Sequence, residues 1–171
     1  MRTVEVTRTY LEMRSPAELR GGGVAAPAGA RLEPVEWVPA SLWRYLYREV
    51  GGPYHWLDRR EWNDDQIREY LSQPITLWLL TSGGAPAGYF ELKRNEDDSI
   101  EIAYFGLLPD FVGKGLGKYL LVRAIEEAWA QKPSRVWLHT CTLDHPAALP
   151  NYLERGFTAT GTESYRYQIP D

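Results

Sequence analysis

Three glycines at alternate positions, Gly113, Gly115 and Gly117, lie between a strand-like run and a helix-like run, and this turn constrains the fold more than any other feature. The run before it, Ile100–Leu107, predicts a strand with Ile100, Ile102 and Tyr104 on one face and Glu101, Ala103 and Phe105 on the other. Gly106 reads as a bulge or splay point. The run after it, Gly115–Trp129, sets Leu116, Leu120, Leu121, Ala124, Ile125 and Ala128 at helical spacing, a stripe broad enough to cover a sheet. Gly113 and Gly115 let backbone amides approach a ligand with no side chain between. The first-turn amides of the helix lack intrahelical acceptors, so the turn Val112–Lys118 can hold an anion, with Lys114 and Lys118 adding positive charge at the rim. The competing reading is a helix start that uses glycines for tight packing. Two familiar phosphate loops fail on spacing. A Walker loop needs a Ser or Thr where Tyr119 stands, and a dinucleotide fingerprint needs Gly-x-Gly-x-x-Gly early in the chain.

The remaining segments supply the sheet and its cover. Val4–Leu11 reads as a strand, Ser15–Leu19 as a short helical turn, and Gly21–Gly29 as a loop. Ala40–Val50 and Asp64–Leu71 have helical periods, the second with Asn63 as its cap. Ile75–Leu80 and Ala87–Leu92 flank Gly83-Gly84 as a hairpin. After the glycine turn come a strand at Arg135–Thr140, a helix at His145–Arg155 and a strand at Tyr165–Ile169. The order predicts an α/β (α+β) fold with a mixed sheet, and 171 residues predict a single domain over 1–171.

Charge and cysteine content narrow the partners. A net charge of -4 argues against non-specific nucleic-acid binding, which depends on Lys and Arg neutralising phosphates. One cysteine, Cys141, leaves no intrachain disulfide. No leader-like apolar segment or membrane-spanning run is present, so a cytoplasmic protein without membrane contact is expected. Seven Trp and eleven Tyr against four Phe suit a pocket, or an interface, built from rings with polar edges. His139 and Cys141 share a side of their strand, but nothing except the glycine turn supplies an oxyanion site for a Cys–His nucleophile; with His145 they lack the spacing of a zinc site, so no metal is expected.

The turn and one downstream segment together resemble the GCN5-related N-acetyltransferase (GNAT) family over roughly residues 75 to 170. Pro109 and Gly115-Leu116-Gly117 match its cofactor signature, in which a basic residue or Gln stands three positions before the first of these glycines. Val112 occupies that position here, and in the family the backbone of this residue faces the pyrophosphate. Tyr152 and Gly156-Phe157 match the closing motif, and Asp144 stands near its usual Asn, where it could cap the helix. Pro150 falls inside that helix as drawn and would kink it or tighten its start.

The resemblance implies acetyl-coenzyme A as cofactor, held by Leu107, Val112, Gly113, Lys114, Gly115, Leu116, Gly117, Lys118 and Asp144 where two central parallel strands splay. It implies direct attack of an amine on the thioester in a ternary complex. Tyr152 would serve the leaving sulfur, with packing of the helix as its alternative role. Glu101 would be the amine-side base, with a solvated strand acid as the alternative. Tyr54, Trp56, Trp62 and His139 would wall the acceptor pocket of a small-molecule amine. A protein N-terminal or lysine acetyltransferase stays open, as does a non-catalytic acyl-CoA-binding module on account of Val112. Family members often pair, so a homodimer is allowed.

Overall fold

Runs of β-branched and aromatic residues broken by Gly83-Gly84 and by Asp97-Asp98 fold into an antiparallel meander. In the computed structural model, which describes residues 1–171, the meander is β3 (Ile75–Ser82), β4 (Ala85–Arg94) and β5 (Ile100–Leu107). They belong to one seven-stranded sheet with β1 (Arg2–Met13), β2 (Ala30–Val35), β6 (Val136–Cys141) and β7 (Thr158–Ile169), in the order β2-β3-β4-β5-β6-β1-β7. Helices α1 (Ala40–Gly51) and α2 (Asp64–Leu71) cover one face, and α3 (Leu116–Ala130) and α4 (Ala148–Glu154) pack with the other. The mixed α/β architecture predicted above is present. No helix is long and apolar enough to cross a membrane.

The two faces bury two separate cores. Leu120, Leu121, Ile125 and Val136 meet Phe90, Ile100 and Ile102 on the α3 face. Trp43, Leu46, Val50 and Ile67 meet Leu77 and Tyr89 on the other. Asn63 caps α2 with a full capping box, accepting from the Gln66 amide while the Gln66 side chain accepts from Asn63 N–H.

β5 departs from simple alternation. Leu92 pairs with Ile102 but Glu91 pairs with Tyr104, so Ala103 is an extra, bulged residue. The bulge reverses the facing of everything after it. Tyr104 packs with the α1–α2 core, on the side of Glu101, and Phe105 joins the α3 side with Ile100 and Ile102. The bulge lies at Ala103 and not at Gly106. Gly106 instead makes room for a helix. A Cβ there would sit 2.5 Å from Val50 Cγ1, so its absence lets α1 lie close on β5.

β5 and β6 run parallel, with only Ile100 opposite Val136 and Glu101 opposite Trp137. Beyond Glu101 the strands part, and a cavity opens between them.

Three further elements differ from the sequence pattern. β2 has no counterpart in it, because Pro34 breaks the expected strand grammar. The sheet tolerates Pro34 because β2 is an edge strand, paired only with β3. β7 begins at Thr158, seven residues before the predicted Tyr165, since its first seven residues are exposed and show no apolar alternation. α4 begins at Ala148, three residues later than predicted, which puts Pro150 in its first turn. Amides there have no helical acceptor, so the missing N–H costs nothing and causes no kink.

Candidate functional site

The glycine turn takes its shape from backbone conformation. Gly113 and Gly115 have φ of 80° and 79°, left-handed values that an L side chain adopts only under strain, and no atom lies within 4 Å of a Cβ built on either. Gly115 is the N-cap residue of α3. Val112, Gly113, Gly115 and Gly117 therefore offer open backbone at the positive end of a 15-residue helix.

These residues line one end of a cavity of about 660 Å³ that runs along the splay between β5 and β6. Leu107, Asn151, Tyr152 and Asp144 line the same region, and Phe105, Leu138 and His139 lie along it. Its other end is a chamber under the α1–α2 connection, walled by Tyr47, Tyr54, Trp56, Arg59, Tyr70 and Tyr104, with Glu101 on the floor.

Most of the residues singled out from the sequence thus meet in one space. Four do not line it. Lys114 and Lys118 point to solvent, and Lys114 Nζ rests 5.5 Å from the Phe111 ring centroid. Leu116 is buried in the α3 core. Trp62 stands behind the chamber wall, stacked on Trp43 at 5.9 Å, and so braces the rings in front of it. Asp144 lines the cavity without capping α4. Its Oδ2 accepts from Thr140 Oγ1 at 2.5 Å and from Cys141 N–H at 3.0 Å, which folds the loop back onto β6.

The electrostatics differ from end to end. Tyr152 is buried between Phe105 and Phe157, with ring centroids 6.4 and 6.2 Å away. Burial raises its pKa and nearby Asp144 adds to the rise, so the phenol stays protonated and can donate. Burial also raises Glu101, against the pull of Lys93 and Arg59. His139 is pushed down by desolvation and by Arg8, which favours the neutral imidazole.

Two charged groups of this region escaped the sequence reading. Glu91, on β4 beneath the chamber, is fully buried; Tyr70 Oη donates to its Oε1 and Trp43 Nε1 to its Oε2, each at 2.9 Å. Burial pushes its carboxyl up to about 7 despite those two hydrogen bonds. Its signal was a lone acid in the apolar run Gly88–Leu92. Arg59 lies over three rings, 4.4 Å from the Tyr70 centroid, 4.7 Å from Trp62 and 5.6 Å from Tyr104. Its signal was a cation set inside the aromatic segment Tyr54–Trp62.

Comparison with known proteins bears on this geometry. Residues 42–157 match the model of the acetyltransferase (GNAT) family. An uncharacterized N-acetyltransferase of Mycobacterium tuberculosis (strain ATCC 25618 / H37Rv) is 29% identical over 102 residues, 59% of this chain and 65% of that protein. A GCN5-related N-acetyltransferase from Kribbella flavida superposes with a TM-score of 0.65 at 20% identity, over 96% of this chain and 58% of that one. A tandem GNAT protein from the clavulanic acid biosynthesis pathway gives 0.65 at 16% identity, over 98% of this chain and 55% of that one. The chain thus spans less than two thirds of the length of these relatives, and the solved structures show likeness of fold alone.

Proposed function

The chain belongs to the GNAT family of acetyltransferases, and from that premise we propose that it moves an acetyl group from acetyl-coenzyme A to a primary amine of a small molecule. The observation that carries this reading is the single cavity joining the glycine turn to a ring-walled chamber, with Tyr152 toward one end and Glu101 toward the other. A chamber walled on several sides by aromatic rings suits a small acceptor with an apolar body.

The residues present fit the cofactor. Gly113 and Gly115 leave their backbone open, with no atom of the chain within 4 Å of where a Cβ would stand, and α3 presents its unpaired amides beside them. Val112 can serve through its backbone, since its side chain is not needed for those contacts. When bound, acetyl-coenzyme A supplies an activated acyl carbon and a thiolate leaving group.

The roles of the chain's own groups follow from their chemistry. An ammonium has no free lone pair, so it must first lose a proton, which Glu101 accepts. With the thioester bound, the amine nitrogen would bond to the acyl carbon as the carbon–sulfur bond breaks, and the second nitrogen proton would pass to the leaving thiolate. Tyr152 Oη donates toward the sulfur as charge develops there, a contact that helps the transition state more than the ground state. Phe105, Leu138 and Tyr104 keep water from the thioester path.

The test is a panel of amines, with peptides bearing free N-termini or lysines as a separate arm, monitored by release of coenzyme thiol. Turnover restricted to small amines supports the proposal. Turnover restricted to peptides assigns a protein acceptor instead. Cofactor binding with no turnover on either arm would make this a binding module.

A further inference from the structure

The half-buried arginines of this protein mostly end on an oxygen of the chain. Arg8 reaches Glu163, Arg94 reaches Asp98 and the Gln131 carbonyl, Arg123 reaches Glu127, and Arg135 reaches Glu12. Arg59 differs. It lines the chamber, yet no carboxylate lies within 4.0 Å of its guanidinium.

Several contacts fix its position. Arg59 N–H donates to Tyr47 Oη at 3.1 Å, which holds the loop at this residue. The guanidinium then rests on the faces of Tyr70 and Trp62. Ring faces compensate the charge of a guanidinium, and beside them the Tyr70 hydroxyl acts on Arg59 as a hydrogen-bond partner, which leaves most of its five N–H donors without an oxygen of the chain. The surrounding acids are already engaged or placed elsewhere. Asp58 Oδ1 accepts from Tyr167 Oη at 2.7 Å, and both Glu91 oxygens are taken by Tyr70 and Trp43. Glu101 shares the chamber and acts on Arg59 only through space.

From this arrangement we infer that the acceptor is an amino carboxylate, its carboxylate paired edge-on with Arg59 and its ammonium drawn to Glu101. The inference rests on the acetyl-transfer reading above and names the class of its substrate. A planar guanidinium held on rings is preorganised for a two-pronged pairing with a carboxylate, which a lysine in that place could not make. The rings of Tyr47, Trp56 and Tyr104 are left to contact the apolar body of the molecule.

The experiment compares three matched acceptors at saturating acetyl-coenzyme A: phenylalanine, its carboxamide, and phenethylamine, which lacks the carboxylate altogether. The expected result is a kcat/KM about ten- to a hundredfold higher for the acid, the scale of a charged hydrogen-bonded pair. In Arg59→Met the ratio of acid to amide falls toward one, chiefly through a higher KM for the acid, and Arg59→Lys restores part of it. A thermal melt of each variant checks that the fold persists. Equal use of all three acceptors by the unaltered protein, or an unchanged ratio in Arg59→Met, overturns the inference while leaving acetyl transfer intact. Preference for the aminophosphonate analogue over the acid overturns the carboxylate assignment in favour of a phosphate-bearing amine. If no amine releases thiol, the transfer reading fails, and calorimetry with the same acids and amides still decides the inference. Arg59-dependent binding of the acid then supports it, and no binding overturns it.

Discussion

Tyr152 and Glu91 show two consequences of one effect, since burial raises the pKa of any acid. For Tyr152 the rise preserves a proton donor beside the cavity. Tyr152→Phe keeps the ring between Phe105 and Phe157 and removes only the hydroxyl. We expect kcat to fall by about ten- to a thousandfold with little change in cofactor Kd. Full turnover by that variant, with chemistry limiting the rate, would make Tyr152 a packing residue. For Glu91 the rise weakens the fold at higher pH. The unfolded chain releases this proton near 4.5 and the folded protein holds it until about 7, so stability falls as pH rises through that window. The whole loss is roughly 3 kcal/mol. Denaturant unfolding at pH 5 and pH 8 should therefore show Glu91→Gln gaining on the unaltered protein by about 2–3 kcal/mol between the two. A gap independent of pH would refute the shift. The identities of both residues were plain in the sequence, but the environment of Glu91 was not. Its partners Trp43 and Tyr70 lie 48 and 21 residues away, on helices that meet β4 only in the folded protein.

Among the elements, two glycines with positive φ play separate parts. Gly115 has open space around its missing Cβ, so Gly115→Ala meets no atom of the chain and adds left-handed strain of about 1–2 kcal/mol. Its methyl would occupy open space beside the amides proposed to hold the pyrophosphate. Acetyl-coenzyme A affinity, measured by calorimetry, should drop about tenfold or more. Gly156 has φ of 107° and a Cβ there would lie 1.9 Å from the Glu18 carbonyl oxygen, where Arg20 N–H also ties the loop to the Arg155 carbonyl. Gly156→Ala should cost more than about 3 kcal/mol of stability, seen in chemical unfolding. Equal effects of the two substitutions on stability would contradict this division. Most elements were legible because their signals are local: the period of α1, α2 and α3, the Asn63 cap, the Gly83-Gly84 hairpin. The bulge at Ala103 was not, since it depends on how β4 pairs. That one residue sends Tyr104 into the chamber and Phe105 toward Tyr152, the reverse of strict alternation.

Over the whole molecule, β1 is the least local element. The first strand of the chain lies between β6 and β7, with Arg8 opposite Cys141 and Arg2 opposite Ile169. Its pairings close loops of more than a hundred residues, so β1 and β7 should be late to form in folding. Because Arg2 and Ile169 are neighbours, a chain with residue 171 joined to residue 1 by a short linker and opened at Gly22 should fold, keep its melting temperature within several degrees, and bind acetyl-coenzyme A. Failure of that chain to fold, checked by circular dichroism and binding, would mean that β1 must dock from a free end. The sequence by itself determined the unit of strand, glycine turn and helix, because consecutive residues set φ, amide exposure and helical period there. Only the tertiary structure decided where β1 inserts, which way Tyr104 faces, and that Arg59 comes to rest on three rings with no carboxylate beside it. Each of these depends on strands and helices far apart in the chain meeting across one sheet.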